Sequence, residues 1–423
     1  MKISEIINRL DNNELDEKLV YLYGADKKDE NIKRYRALLV NALERFNDVE
    51  AMIISAPGRS EIGGNHTDHQ LGRVLCASVN MDIIAVVIRQ DDKCEYYADG
   101  FECPVVLCDD LDVHEDEKFT TASLIRGTLA GFKQNGYNIG GFKVYSHSNV
   151  LKGSGISSSA AFEVLIGNVL NHLYNDGKAD SVTIAKIGQF AENNYFMKPC
   201  GLMDQMACSV GGFVYIDFKD KDKPYVEKID FDFNQSGYKL CIVDTKGDHT
   251  DLSDEYALMP LEMKKVANYF GKDVLSKVSK EEVLNNIAKL RNVVSDRCIL
   301  RAIHFLNETD RVIDEAKALK NEDMDSFKKL VIASGYSSYM YLQNVYSLKN
   351  IEHQQLSIAL CISEQLLANH GAYRVHGGGL AGTIQAFVPN EMLDIYKENM
   401  ENIFGSGSCF VFNIRPVGGY RVI

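Results

Sequence analysis

Gly153-Ser154-Gly155-Ile156-Ser157-Ser158-Ser159-Ala160-Ala161 stands between a strand-like run, Gly140–Val150, and a strongly helical one, Ala160–Tyr174. Such a stretch suits a phosphate. Glycines let the backbone approach a ligand closely, small side chains leave the amides uncovered, and a helix N-terminus adds unpaired N–H donors and partial positive charge. Gly153, Ser154, Gly155, Ile156, Ser157, Ser158 and Ser159 are therefore read as a phosphate-binding loop, with a hydroxyl to spare for a metal. A plain serine N-cap after a flexible turn explains most Ser-Ser pairs but not this whole pattern. The loop is not a Walker A motif, since GxxxxGK[ST] occurs nowhere in the chain. A formal GxGxxG at Gly377, Gly379 and Gly382 leads into a strand instead of a helix, which argues against a nicotinamide-binding Rossmann unit.

Outward from the loop, strands and helices alternate without a βαβ rhythm. Residues 1–50 read as polar helix, with apolar periodicity at Ile32–Phe46. Strands are expected at Ala51–Pro57, at Val74–Arg89 and at Gly211–Lys219, and helices at Phe119–Phe132 and over 181–197. A charged run, Lys219–Lys223, marks the expected lobe boundary. Beyond it lie a strand at Tyr238–Asp244, a long helical region from Ser253 to His370, a strand at Thr383–Val388 and a strand-like end, Ser408–Ile423. The pattern predicts an α+β chain. Its division is a helical segment 1–50 packing on the rest, a first lobe 51–222 carrying the phosphate loop, and a second lobe 223–423.

At 423 residues the chain is long enough for two or three domains, or two intimate lobes. A net charge of −13 excludes a broadly basic surface, so neither nucleic acid nor an anionic membrane is an expected partner. The N-terminus is acidic where a signal peptide would be apolar, and no run approaches the length of a spanning helix. A cytoplasmic protein is the expectation. The ten cysteines include no CxxC pair and read as reduced.

Three motifs in order carry a resemblance. Pro57-Gly58-Arg59-Ser60-Glu61-Ile62-Gly63-Gly64-Asn65-His66-Thr67-Asp68-His69 comes first, the Gly/Ser loop second, and Arg374-Val375-His376-Gly377-Gly378-Gly379-Leu380-Ala381-Gly382 third. Between the last two lies Cys200-Gly201-Leu202-Met203-Asp204-Gln205. From about residue 51 to its end the chain resembles the GHMP kinases, and within them the galactokinases. The resemblance implies a two-lobed α+β GHMP kinase fold with the active site in the cleft between lobes. It also implies ATP and a monosaccharide as substrates, Mg²⁺ as the cofactor and a monomer as the working form. Carried over residue by residue, Asp204 matches the catalytic aspartate and Arg59 the arginine beside it. Ser159 and Glu192 match the magnesium ligands. Asn65, His66, Thr67, Asp68 and Tyr256 fall at sugar-binding positions.

That chemistry is coherent on its own terms. Phosphoryl transfer to a sugar hydroxyl needs positioning, charge neutralisation and a carboxylate to take the proton. The chain departs from the family at Asn65, where a glutamate reaches the sugar's C6 hydroxyl, and at His69, where a tyrosine stands. An amide in place of that carboxylate relaxes the exclusion of a C6 acid. The expectation is thus a kinase acting on the anomeric hydroxyl of galactose. A kinase of a related sugar such as galacturonate, and a regulator that binds sugar and ATP without turnover, are the alternatives. His66 and His69 form an HxxH, but Asp68 is the motif's one further donor, too few for a zinc site.

Overall fold

The apolar, β-branched runs become the two longest strands, Met52–Gly63 and Arg73–Arg89, paired antiparallel from Met52↔Val87 to Gly63↔Leu75. The structure, a computed structural model, describes residues 1–150, 156–221, 223–247 and 252–423, so Gly153, Ser154 and Gly155 lie outside it. Among the described residues the larger sheet has nine strands. Its main path runs Tyr420–Arg421, Met52–Gly63, Arg73–Arg89, Phe142–Ser148, Lys93–Ala98 and Phe101–Glu102, and Phe213–Asp217 joins Arg73–Arg89 beside Phe142–Ser148. The pairing of Lys93–Ala98 with Phe142–Ser148 is parallel and the others are antiparallel.

Both faces of this sheet are covered, which is why its central strand reads as a continuous apolar run. Ile54, Ala85 and Val87 point to one face and pack with the helices Thr121–Gln134 and Ser158–Tyr174. Ile53, Ile84 and Val86, one residue out of phase, face the N-terminal helices Ile3–Asp11, Asp16–Tyr23 and Lys28–Phe46. Those helices are also held by charge. Asp82, fully buried, pairs with Arg34 at 2.6 Å and Arg415 at 2.8 Å and accepts from the Tyr23 hydroxyl at 2.6 Å.

The second sheet runs Ala372–Val375, Thr383–Pro389, Tyr238–Asp244, Cys409–Phe412, all antiparallel. Helices Gln355–Leu367 and Leu393–Phe404 cover one face. Leu240, Ile242, Phe387 and Phe412 on the other face join the core of the first sheet. The helix Ser253–Tyr269 packs on Asp296–Lys320 in a separate apolar cluster.

Several expected boundaries move. Tyr225–Ile229 still pairs with Phe213–Asp217, and Tyr420–Arg421 returns to the first sheet. The chain therefore changes sheet between Ile229 and Tyr238, not at 222, and comes back at its end. The helix expected to reach 197 ends at Asn194, and a separate helix, Met203–Val210, follows. The strand Met52–Gly63 runs past Pro57 into the first motif and ends midway along it, at Gly63. All ten cysteines are free.

Candidate active site

Arg59 sits just past a register shift, between Pro57 and Arg59, in the strand Met52–Gly63. Its guanidinium meets Asp204 in a two-pronged pair, Nε to Oδ1 at 2.7 Å and an Nη to Oδ2 at 2.8 Å. Asp204 lies in the first turn of Met203–Val210, where the helix dipole favours a negative charge. The Ser157 hydroxyl donates to Oδ2 as well. Burial pushes the Asp204 carboxyl up, but Arg59 and Ser157 outweigh it and hold it below the ordinary carboxylate range. With 28% of its side chain exposed, this ionised carboxylate remains within reach of a substrate.

Ser157 takes a left-handed backbone, φ 60°, at the mouth of the helix Ser158–Tyr174, and this turns its hydroxyl back toward Asp204. Ile156 is buried and its carbonyl accepts from the Arg59 N–H at 3.1 Å, tying the loop to the arginine strand. Ser158 opens the helix. One position on, the Ser159 hydroxyl donates to Glu192 Oε1 at 3.0 Å. The Gln205 amide donates to Glu192 Oε2 at 2.8 Å and to Glu163 Oε2 at 3.0 Å, which fixes the glutamate's orientation. Burial, and then the charge of Glu192, push the Glu163 carboxyl well up. Ser159 and Glu192 are hard oxygen donors of the kind magnesium takes, and they fit the ion if phosphate oxygens and water supply the rest. Among the described residues no cluster of three or more His, Cys, Asp or Glu could hold a metal alone.

The first motif's loop lies across the same cleft. Asp68 accepts from the His69 N–H at 2.8 Å, and a Cβ on Gly201 would stand 2.8 Å from its Oδ2, so that glycine admits the carboxylate. Burial pushes Asp68 up, against the charge of His66 and the His69 N–H. His66 donates from Nε2 to the Gly378 carbonyl at 3.0 Å. The Tyr256 hydroxyl donates to the Gly379 carbonyl at 2.6 Å, and burial pushes its pKa up to about 12. Gly379, at φ 78°, would place a Cβ 2.0 Å from the Asn344 carbonyl, so no side chain is possible there. These contacts bring the first and third motifs together.

Two residues of that loop face inward. The Thr67 hydroxyl lies between the carbonyls of Gly64 and Arg73, at 2.9 and 2.5 Å. Asn65 is fully buried: its Nδ2 donates to Glu61 at 3.1 Å and to the Gly377 carbonyl at 2.7 Å, and its Oδ1 accepts from Asn344 at 2.9 Å and Ser338 at 3.2 Å. The amide is spent on protein groups. The neutral His304, its pKa lowered to about 4 by burial, donates from Nε2 to the Asn65 carbonyl at 2.9 Å. His69 is also neutral: burial lowers its pKa to about 3, and both ring nitrogens lack a partner among the described residues.

Sequence reasoning did not find Gln205, Glu163, His304, Ser338 or Asn344. Gln205 sits beside Asp204 and Glu163 four residues after Ser159, on the same helical face, so those two carried a positional signal. The others come from a helical region with no motif.

The sequence matches two family models, GHMP kinases N terminal domain over residues 123–212 and Galactokinase galactose-binding signature over residues 43–89. Among curated proteins, a galactokinase of Lactobacillus helveticus is 28% identical over 385 residues, covering 89% of this chain and 94% of that one. A galactokinase of Clostridium tetani is 27% identical, covering 82% and 86%. Among solved structures, Lactococcus lactis galactokinase complexed with galactose superposes with a TM-score of 0.76 at 22% identity, over 92% of this chain and all of that one. Methanococcus jannaschii mevalonate kinase gives 0.59 at 17% identity, over 86% and 98%. The shared fold thus extends across kinases of different substrates.

Proposed function

The chain belongs to the GHMP kinases, in their galactokinase group, and from that premise we propose that it transfers the γ-phosphoryl group of ATP to the anomeric hydroxyl of galactose. The observation that carries this reading is the Arg59–Asp204 pair, facing the cleft between the phosphate loop and the Asp68 loop. Asp204, kept ionised, accepts the proton of the attacking hydroxyl as the new P–O bond forms. Arg59 holds that carboxylate in place and offers positive charge to the transferring group. The amides at the start of Ser158–Tyr174 receive phosphate oxygens along the helix dipole. Ser159 and Glu192 would hold magnesium, which neutralises phosphate charge. Asp68, His66 and Tyr256 border the sugar's side of the cleft.

A monomer is the proposed working form, since the residues named above need no second chain to complete the chemistry. The acidic composition and the absence, among the described residues, of any helix long and apolar enough to cross a membrane are compatible with work in the cytoplasm. The case for a C6 acid rested on a free Asn65 amide, and that amide is occupied. Galactose is therefore the sugar favoured.

An ADP-release assay with ATP and Mg²⁺ tests the proposal across galactose, galactosamine, glucose, arabinose and galacturonate. Turnover on galactose above the others is expected. A preference for galacturonate would overturn the sugar but not the chemistry. No release with any sugar, from protein that binds both ligands, would leave a regulator.

A further inference from the structure

Lys198 places a cation where the scheme above has no use for one. It stands in Met197-Lys198-Pro199-Cys200, the turn between the helix Ser181–Asn194 and the helix that bears Asp204. The turn is built to aim it. Met197 adopts a left-handed backbone, φ 62°, a conformation that costs a side-chain-bearing residue and that persists where the surroundings impose it. The Lys198 N–H donates to the Glu192 carbonyl at 3.1 Å. Its ammonium then lies 3.3 Å from Glu192 Oε1, the same oxygen that Ser159 reaches. Glu192's side chain is 3% exposed and that of Lys198 is 57% exposed, so the ammonium caps the carboxylate from the open side.

The charges around this oxygen decide what can bind. Glu192 contributes one negative charge and Lys198 one positive, 3.3 Å apart. To a divalent cation arriving alone, the pair offers no net attraction. A cation can take Oε1 only if the ammonium leaves, and the four-carbon stem of lysine lets it swing without disturbing the backbone. A nucleotide's phosphates supply the negative charge that would receive it. The charge of Lys198 already reaches Asp204, helping to lower that carboxyl.

We propose that Lys198 is a phosphate-binding residue that makes metal binding conditional on nucleotide: it neutralises Glu192 when the cleft holds no nucleotide, and moves to the phosphate oxygens when metal and nucleotide enter together. The proposal rests on the kinase reading but not on the identity of the sugar.

Calorimetric titrations of the full chain test it, using Mn²⁺ alone and Mg²⁺ with ADP, on wild type, Lys198→Met and Lys198→Arg. Losing a charge-assisted phosphate contact should weaken Mg·ADP binding about tenfold in Lys198→Met, and freeing Glu192 should tighten Mn²⁺ binding without nucleotide by about tenfold. Lys198→Arg should restore both values to near wild type. Unchanged Mg·ADP affinity in Lys198→Met would overturn the proposal, whether or not Mn²⁺ binding tightened, because the lysine would then be only a counter-ion. Weakened Mg·ADP binding with no gain for Mn²⁺ would overturn the coupling. Wild type that failed to bind Mg·ADP would instead overturn the kinase reading itself.

Discussion

Asp204 shows how one carboxylate acquires a role from its surroundings. Burial alone would protonate it, whereas Arg59 on both oxygens keeps it ionised and Ser157 fixes its direction. Asp204→Asn keeps the shape but cannot take a proton, so turnover should fall by about 10²–10⁴-fold with sugar affinity largely kept. ADP release and sugar titration on the same preparation check this, and a variant retaining a tenth of wild-type turnover would remove Asp204 as the base. Glu315 shows the opposite outcome. It is fully buried, neither carboxyl oxygen has a hydrogen-bond partner among the described residues, and burial and then Glu308 push its pKa well up. Its contribution to stability is fully present below the unfolded carboxyl value of about 4.3 and is lost as pH rises through the folded value. Glu315→Met, of similar reach and no polar atoms to strand, should stabilise the fold by about 1–3 kcal/mol. The gain in urea midpoint should be larger at pH 8 than at pH 4; an equal gain at both would mean the carboxyl titrates normally.

Between elements, the decisive contact is the grip of one helical turn on one loop. The chain widens into a π-helical turn at Ser338–Leu342, a distortion frequent at functional sites, and this aims Ser338 at Asn65 while Asn344 follows. Asn65 is thereby clamped among four side-chain and carbonyl partners. Asn65→Glu would bring a carboxylate against Glu61 and the Gly377 carbonyl, both acceptors. Burying that unpaired charge should cost about 3–5 kcal/mol and lower galactose kcat/KM, despite being the residue of the resembled family. Thermal unfolding checks the first and steady-state kinetics the second. An unchanged Tm with improved galactose kinetics would show that position 65 turns toward the sugar.

Across the molecule, Asp82 ties together three parts of the chain: the N-terminal helices through Tyr23 and Arg34, the central strand that bears it, and the C-terminal tail through Arg415. Burial pushes this carboxyl up, yet Arg34 and Arg415 outweigh it and hold it below the usual range. Its contribution is therefore present above the unfolded value of about 3.9 and is lost as pH falls through the folded one. Asp82→Asn leaves two buried guanidinium groups without a counter-charge and should destabilise by about 3–5 kcal/mol at pH 7. Hydrogen exchange should quicken together in Lys28–Phe46 and in Tyr420–Arg421. Loosening of one without the other would mean that Asp82 is not their common anchor.

The residues proposed to meet phosphate and proton stood out by order and type alone. A glycine and serine loop before a helix, an arginine early and an aspartate in a short motif each carry a local chemical signal that needs no partner to be read. The α+β mixture followed equally from apolar periodicity, because strand and helix periods are local properties of the backbone. Tertiary structure decided the rest, for reasons of contact between distant segments. Asn65 looks like a sugar ligand in its motif and proves to be a brace, because Ser338 and Asn344, some 270–280 positions on, consume its amide. Sheet membership was hidden for the same reason: a charged run marks solvent, but which sheet a strand joins depends on which edge it finds. Lys198 beside Glu192 was visible only as a lysine in a turn. Its meaning comes from a distance, and distances belong to the fold.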